Sequence, residues 1–76
     1  MIKIQLKLFV TLAKYLPARA DALPVEEGSS VADLMAALAI PRDEVKLIFV
    51  NGRKADPGHV LAQGDRLGLF PPVGGG

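Results

Sequence analysis

Hydrophobic and polar positions alternate from the start of the chain: Ile2, Ile4, Leu6, Leu8 and Val10 are set against Lys3, Gln5 and Lys7. A period of two sends successive side chains to opposite faces, so the pattern predicts a half-buried first strand. Phe9 falls on the polar side and breaks it, and the strand end is expected to be covered on both faces. Residues 11–16 suit one helical turn, which Pro17 ends. Residues 22–26 read as a weak second strand with Leu23 and Val25 inward, and Pro24 suits an edge position. After Gly28-Ser29-Ser30 the period changes. Val31, Leu34, Met35 and Leu38 recur at spacings of three and four, which makes one apolar helical stripe. Ser30 and Asp33 suit the N-cap and third helical position, so a helix is predicted over residues 31–39, ending before Pro41.

The second half returns to strands. Residues 45–50 form a dense β-branched and aromatic run, and Asn51-Gly52 is a strong hairpin signal. Arg53-Lys54 begins a short fourth strand, and Asp56-Pro57-Gly58 turns the chain. Val60 and Leu61 are expected to close the bottom of the core. Gln63-Gly64-Asp65 turns into a last strand over residues 66–70, with Leu67 and Leu69 on one face and Phe70 on the other. The last strand is expected to return beside the first, with the helix across one face. This is an α+β arrangement, a twisted mixed sheet of four to five strands on one main helix: the β-grasp, or ubiquitin-like, architecture. The expected domain is 1–70, followed by an extended tail, 71–76.

Composition narrows the function. Seventy-six residues make one small domain that buries only about 60% of its unfolded surface. The chain has no cysteine, which excludes disulfides, Cys-ligated zinc and iron–sulfur clusters. No metal site is expected, since His59 is the single histidine and suits a surface turn. Asp43-Glu44 suits a solvated loop. No apolar run approaches the roughly 20 residues of a membrane span, and the N-terminus is no signal peptide, so a cytoplasmic protein is expected. The net charge is +1 and the charges look dispersed. The basic stretch of Lys3, Lys7 and Lys14 lacks the clustered, aromatic-bearing footprint of a nucleic-acid binder.

The candidate chemistry lies at the end of the chain: Phe70-Pro71-Pro72-Val73-Gly74-Gly75-Gly76. Proline fixes φ near −65°, so Pro71 and Pro72 are expected to run extended, away from the body. Glycines lack a Cβ and make a thread that fits a slot closed to any side chain. The group such a tail offers is its own carboxylate, a poor electrophile until activated. An acyl adenylate would split one hard substitution into two easier ones. On the third strand, alternation turns either Ile48 or Phe49 to the open face, where an apolar residue near the tail would extend a partner surface.

Lys7-Leu8-Phe9-Val10-Thr11-Leu12, Gly64-Asp65-Arg66-Leu67 and the closing Phe-Pro-Pro-Val-Gly-Gly-Gly together resemble the MoaD/ThiS-type ubiquitin-like sulfur carriers, above all the MoaD branch, the small subunit of molybdopterin synthase. The resemblance implies a carrier, not an enzyme, with no bound cofactor. It implies that an E1-like adenylyltransferase consumes ATP to adenylate the Gly76 carboxylate. A sulfur donor protein then turns it into a thiocarboxylate, and a MoaE-like large subunit uses that sulfur to make molybdopterin. Gly74, Gly75 and Val73 would thread into the partner, and Phe70, Pro71 and Pro72, with Ile48 or Phe49, would dock. A heterotetramer with a dimeric large subunit is implied as well. Two departures stand out. Gly74 replaces the family's usual alanine or serine, and Ala13-Lys14 stands where many members carry Arg-Glu, which bears on partner choice. Other acceptors fit the same tail chemistry: cysteine, thiazole or tRNA thiolation, or lysines of target proteins. A passive β-grasp interaction module is the reading from a different class.

Overall fold

The computed structural model describes residues 1–72. Five strands, β1 (Ile2–Leu8), β2 (Leu23–Val25), β3 (Leu47–Val50), β4 (Arg53–Lys54) and β5 (Arg66–Phe70), form one sheet in the order β2-β1-β5-β3-β4. β1 and β5 run parallel at the centre, with Leu8 beside Leu69, and the other neighbours pair antiparallel. The single α-helix among the described residues, α1 (Val31–Ala37), closes one face. Ile4, Leu6, Leu8, Ile48, Val50, Leu67 and Leu69 point to that face and are buried with Val31, Leu34 and Met35. The sheet order and the helix make the mixed β-grasp arrangement expected from the periodicity.

Local chemistry sets the element ends. The Ser30 hydroxyl accepts from the Asp33 N–H at 3.1 Å, and the Asp33 carboxylate accepts from the Ser30 N–H at 3.0 Å, a complete capping box. Carbonyls of His59 and Pro57 accept from the N–H groups of Val31 and Ala32, so the 57–60 loop caps the helix start. The helix ends two residues earlier than the position of Pro41 suggests. Ala39 turns left-handed at φ 59°, its N–H bonds Ala36 and the Ile40 N–H bonds Met35, the paired contacts of a Schellman cap. Asn51 and Gly52, at φ 56° and 81°, make the two-residue hairpin loop that joins β3 to β4.

Two expectations about the core are corrected. Val10 does not continue β1: the chain turns at φ 54°, Val10 is 75% exposed, and Leu12 takes the buried place in a 3₁₀ turn over Val10–Tyr15. Val60 is 56% exposed, because its bridge to Ser30 turns its side chain out and leaves Leu61 to fill the core alone. The Tyr15 hydroxyl donates to Glu44 at 3.1 Å and pins that 3₁₀ turn to the approach to β3. Partial burial, then the Glu44 and Asp43 carboxylates, push the Tyr15 hydroxyl above its ordinary value.

Candidate functional site: an aromatic face at the chain exit

The helix-free face of the sheet collects the residues that alternation turns away from the core. On β5 these are Arg66, Gly68 and Phe70, on β3 Leu47 and Phe49, and on β1 Lys3, Gln5 and Lys7. All three phenylalanines of the chain meet here. Phe9 and Phe70 lie face to face with centroids 4.2 Å apart and planes 4° apart. Phe49 meets Phe70 edge-on at 5.5 Å. Such pairs contribute about 0.5–1.5 kcal/mol beyond the area they bury. Gly68 lies under the cluster. A Cβ there would stand 3.4 Å from Phe9 and 3.7 Å from Phe70, so any longer side chain would need the space the rings fill. With Gln5, Lys7 and Arg66, these residues line a shallow, mainly apolar hollow.

The face is held in register by a buried carboxylate. Asp65 accepts from the Asn51 amide at 2.9 Å and from the Ala62 N–H at 2.8 Å. The Asn51 side-chain oxygen in turn accepts from the Arg66 N–H at 2.9 Å. The hairpin tip and the first residue of β5 are thereby locked together. At the other end of β5, the Phe70 carbonyl accepts from the Lys46 N–H at 2.7 Å, so the ladder runs to the last strand residue.

The predicted site residues divide. Phe49 and Phe70 come together on the open face. Ile48 is corrected: it is only 6% exposed, faces the core, and offers nothing to a partner. Pro71 is corrected too, because it is buried against the domain, and only Pro72 is exposed. Val73, Gly74, Gly75 and Gly76 lie outside the described residues. Phe9 and Gly68 were missed. The signal for Phe9 was its place on the polar side of the β1 alternation. That position reads as cover for a strand end unless β5 is known to bring Phe70 beside it.

A model of the Mut7-C ubiquitin family matches residues 1–74. The chain belongs to this family. Its sequence is 34% identical to small archaeal modifier protein 1 of Haloferax volcanii, covering 92% of this chain and 97% of that protein. The crystal structure of that modifier superposes with a TM-score of 0.73 at 28% identity, covering 96% of this chain and all of that one. A putative molybdopterin converting factor subunit 1 from Pyrococcus furiosus superposes with a TM-score of 0.73 at 25% identity, with the same coverage. The family is therefore that of the ubiquitin-like sulfur carriers and small modifiers, with the β-grasp fold the periodicity predicted. Among the described residues no helix is long and apolar enough to cross a membrane.

Proposed function

We propose that this protein is a carrier whose reactive group is the Gly76 carboxylate. The reading is supported by one observation: β5 ends at Phe70, within the aromatic cluster, and only Pro71, Pro72 and Val73 separate it in sequence from the glycines at 74–76. An E1-like adenylyltransferase grips that face and takes in the glycine thread. The carboxylate oxygen attacks the α-phosphorus of ATP and expels pyrophosphate. Hydrosulfide released by a donor protein then attacks the acyl carbon and expels AMP, and loss of the sulfur-bound proton leaves a thiocarboxylate. The acceptor in the primary reading is the molybdopterin precursor, held by a MoaE-like large subunit in the cytoplasm. The chain itself supplies a surface and a reactant, while its partners supply the catalytic groups.

The match to a small archaeal modifier favours a second fate for the same adenylate, attack by a lysine amine of a target protein with formation of an isopeptide bond. Incubation with ATP, a sulfide source and the E1-like enzyme of the same organism separates the cases. Intact mass should show one oxygen replaced by sulfur, and deletion of Gly75-Gly76 should abolish the change without unfolding the domain. Gly76-linked peptides from other proteins would establish the modifier fate. An amide-blocked terminus that retained full partner function would overturn both in favour of a passive module.

A further inference from the structure

The charges that look dispersed along the sequence converge on the aromatic face. Its outward positions carry Lys3 and Lys7 on β1 and Arg66 on β5, and the register sets Lys54 of β4 directly across from Phe49. Among the described residues, no outward position of these strands carries a carboxylate. The acidic residues lie in the turns, in α1 and in the buried Asp65 network. A chain of net charge +1 thus presents one purely cationic sheet face. The pairing also gives the spacing. Lys7, Gly68, Phe49 and Lys54 form one row across four strands, so Lys7, at the margin of the hollow, and Lys54, beyond it, stand about 14 Å apart. Arg66 is one pleat from Gly68, about 7 Å along β5. Lys7 and Arg66, on neighbouring strands, stand about 8 Å apart, within one Debye length at physiological salt, so these two act on an approaching surface together, while Lys54 acts mainly on the groups it faces directly.

We infer that this face selects a protein partner whose matching surface is an apolar projection bordered by carboxylates. The inference rests on the docking role proposed above and adds the partner's charge pattern. The hollow is apolar at its centre and cationic at its margin, the division of an interface with a desolvated core and a steering rim. The aromatic arrangement speaks against a nucleic acid. Bases stack on free ring faces, whereas Phe9 and Phe70 lie against each other and Phe49 packs edge-on against Phe70.

The test uses the full chain with the E1-like enzyme of the same organism, reading thiocarboxylate formation by intact mass across a sodium chloride series. For the wild-type chain, KM should rise with salt. The double reversal Lys7→Glu/Arg66→Glu should raise KM on the order of tenfold at low salt and flatten or invert that dependence. Both residues are exposed, so the variant should keep the wild-type circular dichroism spectrum. A wild-type KM indifferent to salt and to the reversal, with KM raised by Phe49→Ala, would overturn the acidic partner and leave the docking role intact. A KM unchanged by Phe49→Ala as well would remove the docking role itself. Salt-sensitive binding of a fluorescent single-stranded RNA that the reversal abolishes, with KM unchanged, would overturn the inference in favour of a nucleic acid.

Discussion

At the scale of single residues, two positions have stability consequences that can be measured. Val10 is exposed yet left-handed, a conformation that costs an L-residue roughly 1–2 kcal/mol and suits a β-branched side chain least. Asparagine tolerates it better, so Val10→Asn should raise the denaturation midpoint by the equivalent of about 1 kcal/mol with an unchanged m-value. Asp65 has the opposite character. Truncation to alanine strands the Ala62 N–H and the Asn51 amide, and should cost about 2–3 kcal/mol. Asn51→Ala breaks the same network, so the double variant should lose clearly less than the sum of the singles in a urea-melt cycle. Additive losses would mean that the two residues act separately.

At the scale of elements, the helix carries a conspicuous compromise. Its Schellman cap places alanine, not glycine, at the left-handed position, so Ala39→Gly should stabilise the domain by up to about 1 kcal/mol, seen as a higher thermal midpoint. Period two in β1, the stripe of α1 and Asn51-Gly52 made the element order legible, because each is a local signal of its own. The element ends were less legible. The helix cap and the turn at Val10 depend on left-handed backbone at residues that seldom adopt it, and no composition rule marks them. The site was half legible for a related reason. Alternation alone could not choose between Ile48 and Phe49; packing under α1 did. Phe9 joins Phe70 only because β1 and β5 lie side by side, a contact between the two ends of the chain.

At the scale of the whole molecule, one face of the sheet stands apart from the rest. α1 seals the inner side of the sheet, the edge strands are short, proline-bearing or charged, and the outer side is left open. An open aromatic surface on a small protein invites a second copy to settle on it. Here the margin of that surface counters the invitation, because two such faces could meet only by bringing their lysines and arginines together. The same charges that are inferred to select an acidic partner would thus keep the free protein from itself, and salt should act on the two contacts in opposite senses. Raising sodium chloride should weaken activation while increasing self-association in light scattering, and Lys7→Gln/Arg66→Gln should self-associate already at low salt. On the proposed reading the rim would be a colloidal device as much as a recognition one, keeping the free chain dispersed until a surface of the other sign arrives.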